Sequence, residues 1–454
     1  MPLRYRLLRR LAQILLSVFY RRLEVVGLER VPPRAPLLVI ANHQNALIDP
    51  MLLLAALPRR LVPIAKAPLF RHPLISPFLH LAGAIPVHRR QDAGTEMPDP
   101  VRNQAMYSAA VGALRGGDAV LIFPEGVSQP EPRLLPLRSG AARMVVAAEA
   151  EGIHPVVLPV GLVYHQPEVF RAGWALVLIG RPIETRVPAQ LMATAPESAV
   201  RGLTDAMDAA LRTLIVEARD RDTLRLVELA DRIWRADTNE PHGDPARRTE
   251  WRRRALHAWR HLSEHEPERI GRFRAELERY AARLEAAGLT GQEPEGGYPV
   301  GLVLRYAIRE GAALGLGLPL ALVGIVIHAL PYQLTARAVR ALHPDADIEA
   351  TYKIAVGLVL YPLAWLAEAW LAWQIGGGWL LAGILASLVP AGLLALTWRA
   401  RLARVGADAR GFARFLLDRD LYRDLLARRR AIHEEMRALA TLVPDDRLTG
   451  ESRS

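Results

Sequence analysis

The sequence predicts an α/β domain built on a mostly parallel sheet with helices, followed by an α-helical extension and C-terminal helices apolar enough to cross a membrane. Three observations carry that reading. Between residues 23 and 190, short apolar, β-branched runs alternate with helical stretches: LLVIA ahead of His43, DAVLIFP ahead of Glu125, VVLPVGLVY from Val156 and ALVLIG ending at Gly180. Strands interleaved with helices are the pattern of a parallel sheet covered by its own crossovers. From Pro188 to about Leu289 the chain becomes helical and rich in Arg and Glu, with no further strand pattern. Beyond that lie three long apolar runs, Gly311 to Leu330, Ile354 to Ile375 and Trp379 to Trp398, each near the ~20 residues a bilayer requires.

The organisation that follows is a surface helix over residues 1–22, a catalytic-type α/β domain over 23–190, a helical extension over 191–305, a membrane region with two or three apolar helices over 306–398, and a basic helical tail over 399–454. The first segment, MPLRYRLLRRLAQILLSVFYRR, has too short an apolar stretch to span a bilayer and lacks the small-residue cleavage site of a signal peptide. Leu8, Leu11, Leu15 and Val18 fall on one helical face, with Arg6, Arg9 and Arg10 nearby. Two readings stand: an amphipathic helix lying on a membrane surface, or a helix docked on the domain that follows.

Gly376, Gly377 and Gly378 separate the second and third apolar runs and suit a tight turn. Trp365, Trp370, Trp373, Trp379 and Trp398 cluster in these two runs, several near the ends where interfacial aromatics are favoured. Arg399, Arg401, Arg404, Arg410 and Arg414 follow the last run and place the tail on the cytoplasmic side. Three full crossings would separate that tail from the N-terminal domain. The preferred resolution is a re-entrant or half-inserted Gly311 to Leu330, which contains Gly315, Gly317 and Pro319. The α/β domain is then expected on the cytoplasmic face of an inner (cytoplasmic) membrane.

Composition narrows the chemistry. The 454 residues suffice for two or three domains, and 51% hydrophobic against 23% charged residues excludes a disordered chain. With no cysteine, disulfides, thiolate metal sites and a cysteine nucleophile are excluded. The net charge of +11 suits nucleic acid, an anionic membrane surface or a phosphorylated substrate. Only Lys66 and Lys353 are lysines, so 56 of the 58 basic residues are arginine, a bias that weakens arginine abundance as a functional signal. Nucleic acid is disfavoured as a partner, because the chain carries the three apolar runs and no motif that reads RNA or DNA.

The segment ANHQNALIDP, Ala41 to Pro50, follows a strand-like run and presents His43 and Asp49 six positions apart. Asp49-Pro50 ahead of MLLLAAL reads as an N-cap with proline at the first helical position, leaving a loop able to fold His43 onto Asp49. A carboxylate bonded to one imidazole nitrogen leaves the other as a base. GAIPVHRR offers Arg89 just past a strand, and LIFPEGVSQP offers Glu125 followed by Gly126, which permits close backbone approach. His257, His261 and His265 recur at helical spacing, but the charged residues around them favour a solvated helix face over a metal site.

Together, ANHQNALIDP, GAIPVHR, FPEGVS and VVLPVGLVY, in this order, resemble the four blocks of the glycerolipid acyltransferase family, which includes lysophosphatidate and glycerol-3-phosphate acyltransferases; the resemblance covers residues 20 to 190. It implies that His43 is a general base paired with Asp49, that Arg89, Glu125 and Gly126 bind the glycerol phosphate, and that Val156 to Val163 is associated with the acyl chain. Five residues lie between His43 and Asp49 rather than the four common in the family, which resembles a branch that includes glycerol-3-phosphate and dihydroxyacetone-phosphate acyltransferases. FPEGVS lacks an arginine that many members carry after the glycine, and Arg138 is a candidate replacement. Lys66, kept in an arginine-writing chain, is a candidate phosphate ligand beside Arg89.

The expected activity is O-acyl transfer from acyl-CoA or acyl carrier protein to glycerol-3-phosphate, dihydroxyacetone phosphate or 1-acyl-glycerol-3-phosphate, in contact with membrane lipids and with no metal or other cofactor. A histidine base suffices for such direct transfer, in line with the absence of a G-x-S-x-G elbow. The competing expectation is a catalytically silent lipid-binding or scaffold protein on the same fold.

Overall fold

The computed structural model describes residues 1–72, 75–88, 100–165, 173–183, 185–186, 190, 194–238, 244–289, 300–343 and 349–444. The chain divides into two compact units, one of residues 1–219 with 344–351 and one of residues 220–343 with 352–454.

The first unit contains a seven-stranded sheet. Its strands are β1 (Arg22–Val26), β2 (Leu37–Ala41), β3 (Leu61–Lys66), β4 (Ile85–Val87), β5 (Ala119–Ile122), β6 (Val156–His165) and β7 (Trp174–Ile179), in the spatial order β1-β7-β6-β2-β5-β3-β4. Strands β6, β2, β5, β3 and β4 are mutually parallel, whereas β7 returns antiparallel to β6 and pairs in parallel with β1. The predicted α/β class with a mostly parallel sheet is therefore what the chain forms. All five residues of β2 are buried, as expected of a central strand covered on both faces.

Leu38 and Ile40 point to one face, where α4 (Pro100–Arg115), α5 (Gly140–Ala150) and the helix Pro196–Arg212 close a core containing Val111, Leu114, Val145, Met207 and Leu211. Leu37 and Val39 point to the other and are equally buried. Helix α1 (Leu3–Phe19) packs on α2 (Ile48–Ala56) and on α3 (Ser76–Ala82), and α2 touches β7. Helix α1 is docked: Tyr5, Leu8, Ala12, Leu16 and Phe19 are buried, and the Tyr5 hydroxyl accepts a hydrogen bond of 2.8 Å from the Leu61 amide. The buried stripe is rotated from the one the leucines suggested, because Tyr5 and Phe19 anchor its two ends. Leu3, Leu7, Ile14 and Val18 remain exposed on the opposite face.

The second unit is helical. Helices Arg221–Thr238, Pro245–His265, Pro267–Ala287 and Arg419–Ala440 share a core of Ile233, Leu262, Phe273, Leu277, Tyr280, Leu425, Ile432 and Leu439. Arg269–Glu435 and Arg428–Glu276 ion pairs, at 2.7 and 2.9 Å, bridge the same elements.

Among the described residues, two helices are long and apolar enough to cross a membrane, Val303–Leu342 and Thr351–Arg414. Only 11% and 22% of their most apolar windows are buried, so they are not core helices of this unit. The second contains a break at Gly377 (φ 62°, ψ −153°), within the glycine turn expected between the second and third apolar runs. Gly311 to Leu330, expected to be re-entrant or half-inserted, contains no re-entrant turn. That run lies inside one uninterrupted helix, Val300–Leu342, which accommodates Pro319 and Pro331 without reversing. Trp398 donates its indole N–H to the Leu314 carbonyl at 2.8 Å, tying this helix to the one that follows.

Candidate active site

Parallel strands deliver their following loops to one edge of the sheet, the edge at which α/β proteins build their sites. Here β2 leads to His43, β5 to Glu125 and β4 toward Arg89, and Lys66 is the last residue of β3. Lys66 registers against Val87, two residues before Arg89. Arg89 itself lies outside the described residues.

His43 and Asp49 are brought together. Imidazole Nδ1 is 2.8 Å from Asp49 Oδ2, the Asp49 side chain is fully buried, and the imidazole is 14% exposed. Asp49 Oδ2 also accepts the backbone N–H groups of Gln44 at 2.7 Å and Asn45 at 2.9 Å. These amides fold the five intervening residues into a tight loop around the carboxylate. Nε2 of His43 makes no hydrogen bond among the described residues, which leaves it as the free basic position.

The expected N-cap role of Asp49 is corrected. Helix α2 starts at Ile48 with Leu47 at its N-cap position, and no side chain caps it. The Asp49 carboxylate is turned back onto the histidine loop and is unavailable to its own helix. Pro50 sits in the first turn, where its missing N–H costs nothing.

Three contacts fix the histidine from the opposite side. Its backbone N–H donates to Glu125 Oε1 at 2.7 Å, its carbonyl accepts the Gln129 N–H at 3.0 Å, and the Phe123 ring stacks on the imidazole with centroids 4.0 Å apart. The second oxygen of Glu125 accepts the Leu135 N–H at 3.0 Å. Both carboxylate oxygens are thus engaged by backbone amides, and Glu125 ties the histidine loop to the loop after β5. Burial pushes the Glu125 carboxyl above its ordinary range, opposed by the two amide bonds and the neighbouring His43. A carboxylate so engaged is poorly suited to face a phosphate, whose charge it would repel.

Gly126 has φ +73°, and a Cβ built there would meet Arg138 Nε at 2.7 Å. The Arg138 guanidinium therefore lies directly over the glycine, and its backbone N–H donates to the Pro124 carbonyl at 2.8 Å. Arg138 joins the Glu125 loop although the two are 13 positions apart in sequence. Among the described residues, no group of three or more His, Asp or Glu side chains is arranged to hold a metal; His261 and His265 stack with ring centroids 4.1 Å apart.

Sequence reasoning missed Phe123, Asn42 and Tyr164. Asn42 is buried, accepts the Leu162 N–H at 2.7 Å and donates to the Leu162 carbonyl at 3.0 Å, extending the β2–β6 pairing past the end of β2. Tyr164 donates its phenol O–H to Asp49 Oδ1 at 2.5 Å. The available signal was a tyrosine at the end of a strand apolar enough to be buried, since a buried phenol needs a partner.

Residues 22–163 match the sequence profile of the Acyltransferase family. The chain is 25% identical over 449 aligned residues to an uncharacterized acyltransferase of Schizosaccharomyces pombe, a match covering 77% of this chain and 66% of that protein. Over 141 residues it is 31% identical to glycerol-3-phosphate O-acyltransferase 1 of Saccharomyces cerevisiae, covering 30% of this chain and 18% of the relative. Over 137 residues it is 33% identical to 1-acyl-sn-glycerol-3-phosphate acyltransferase alpha of Homo sapiens, covering 30% and 45%. Residues 22–163 thus carry an acyltransferase-family domain, similar to those of glycerol-3-phosphate and 1-acyl-sn-glycerol-3-phosphate acyltransferases. The matched acyltransferase segment contains His43, Asp49, Arg89, Glu125, Gly126 and Arg138, and ends one residue before Tyr164. The chain spans less than two thirds of each relative's own length, and the matches to the Saccharomyces cerevisiae and Homo sapiens proteins are limited to 141 and 137 residues.

Proposed function

We propose that this protein is a membrane-bound O-acyltransferase that moves a fatty acyl group from acyl-CoA or acyl carrier protein to a hydroxyl of glycerol-3-phosphate or 1-acyl-glycerol-3-phosphate. The observation that carries the reading is the buried His43–Asp49 pair with Nε2 unoccupied. Asp49 holds the imidazole by Nδ1, so Nε2 is the atom that takes the proton from the acceptor hydroxyl. The hydroxyl oxygen bonds to the thioester carbonyl carbon, and the tetrahedral intermediate collapses by breaking the carbon–sulfur bond. The proton held on Nε2 leaves with the thiolate. No covalent enzyme intermediate and no cofactor enters this scheme.

The acceptor's phosphate is assigned to Arg138 over Gly126 and Lys66 at the end of β3, together with Arg89, which follows β4 by two residues in sequence. Glu125 acts on His43 rather than on phosphate, because both its oxygens hold backbone amides. The two long apolar helices support attachment to a membrane, where an acylated product would remain. The test is labelled acyl-CoA offered to purified membranes with glycerol-3-phosphate and, separately, with lysophosphatidate. Incorporation of label into neither acceptor, from acyl-CoA or from acyl carrier protein, would leave the silent scaffold as the better account.

A further inference from the structure

Asp49 is buried without a water-facing oxygen, so each of its two oxygens must be satisfied by the protein or left unpaired at a cost of about 1–3 kcal/mol. Oδ2 has three donors: His43 Nδ1, the Gln44 amide and the Asn45 amide. For Oδ1, the donor is the Tyr164 phenol at 2.5 Å. A carboxylate gripped at one oxygen alone swings about that oxygen, and the imidazole swings with it. Gripped at both, its plane is set.

The fold is arranged to bring the phenol there. Strand β6 has ten residues against five in β2, and it continues past the end of β2. Pairing of Ala41 with Val160 ends the β2–β6 ladder, and the Asn42 side chain then continues it through both polar backbone groups of Leu162. Beyond Leu162, β6 remains extended because β7 pairs with it, Tyr164 lying opposite Ala175. The overrun therefore reaches over the histidine loop, with Tyr164 two residues past the Asn42 anchor. Tyr20, itself buried, backs the phenol with ring centroids 6.1 Å apart. Burial first, and the adjacent Asp49 charge second, push the Tyr164 phenol well above its ordinary range, so it stays a protonated donor throughout the neutral range.

We propose that Tyr164 is a positioning residue of the acyl-transfer site: its phenol locks Asp49 Oδ1, and through Asp49 it fixes the direction in which His43 presents Nε2. The inference rests on the acyl-transfer reading and adds a third member to the His43–Asp49 pair. Tyr164 has no role in acceptor or donor binding under this assignment. Its contribution is confined to the geometry of proton transfer.

The experiment compares acyl transfer by the full-length protein in membranes for wild type, Tyr164→Phe, Asp49→Asn and the double variant, with rates normalised to folded enzyme. Tyr164→Phe removes one oxygen and keeps the ring. It should lower kcat by about tenfold, in the range typical of losing a group that orients a site residue, while KM for acceptor and thioester stays within about twofold. In the Asp49→Asn background the same change should alter kcat by less than about twofold, because the group it acts through is gone. Tyr164→Leu, which also removes ring packing, should show the same kcat loss with a larger drop in melting temperature. Wild-type kcat in Tyr164→Phe, a loss expressed in KM alone, or an undiminished loss in the Asp49→Asn background would each overturn the proposal. His43→Ala separates the two levels of the argument. If it is active, the acyl-transfer reading fails; if it is inactive while Tyr164→Phe behaves as wild type, only the Tyr164 assignment fails.

Discussion

The backbone bonds of His43 to Glu125 and Gln129 do not need its side chain, and Asp49 Oδ2 keeps the Gln44 and Asn45 amides without it, so removing the imidazole subtracts chemistry with little loss of framework. His43→Ala should lower acyl transfer by about 10² to 10⁴, the usual cost of losing a general base, with membrane expression unchanged. Lys66→Arg should raise the KM for the phosphorylated acceptor more than that for the acyl donor, because a guanidinium fork does not replace a compact ammonium in a crowded site. Kinetics identical to wild type across acceptor concentrations would return Lys66 to an accident of composition. Glu125 gives a pH prediction. A carboxyl whose folded-state pKa is raised binds its proton sooner on acidification when folded than when unfolded, so its contribution to stability grows as pH falls toward the unfolded value near ~4.3. Glu125→Gln removes that dependence, and the melting temperature of the wild type relative to the variant should rise as pH is lowered from about 7 toward about 5. A flat or falling difference would contradict the raised pKa.

The strand-to-loop elements account for how much of the site was legible. Apolar runs ending at His43, Glu125 and Tyr164 mark the strands, and their parallel pairing puts those ends on one edge. Local sequence shows where a reactive group leaves a strand, but not which distant groups meet it there. Arg138 over Gly126, Asn42 on Leu162 and Tyr164 on Asp49 all depend on the order of strands, which no local pattern encodes. The Asp49 cap was misread for a related reason: Asp-Pro ahead of an apolar helix is a local cap signal, and the histidine loop captured the carboxylate instead. Gly126 offers an element-scale test. Gly126→Ala forces a side chain into the left-handed region, at about 1–2 kcal/mol, and pushes its Cβ against Arg138. The variant should melt lower and show a raised KM for acceptor, whereas unchanged stability and KM would contradict the placement of Arg138.

Across the second unit, the helix after the apolar segment packs on helices before it. Leu425, Ile432 and Leu439 share a core with Phe273, Leu277 and Tyr280, and Arg269–Glu435 ties the same pair of helices. Segments packed in one core must lie on the same side of any bilayer that the apolar region between them enters. Cysteines introduced singly at exposed positions of 267–287 and 419–440, into a chain that has none, should react with a membrane-impermeant reagent from the same side. Labelling from opposite sides would refute the shared core. The apolar runs were evident in the sequence, but a run's length does not show how its helix packs. The claim on which the rest depends is that a His43–Asp49 pair performs acyl transfer to a glycerol phosphate acceptor. Its most direct test is transfer of labelled acyl groups to glycerol-3-phosphate and lysophosphatidate by membranes containing wild type or His43→Ala at equal expression. The account predicts labelled product from at least one acceptor with the wild type and a fall of at least about 10² with the variant; equal product from both proteins would contradict it.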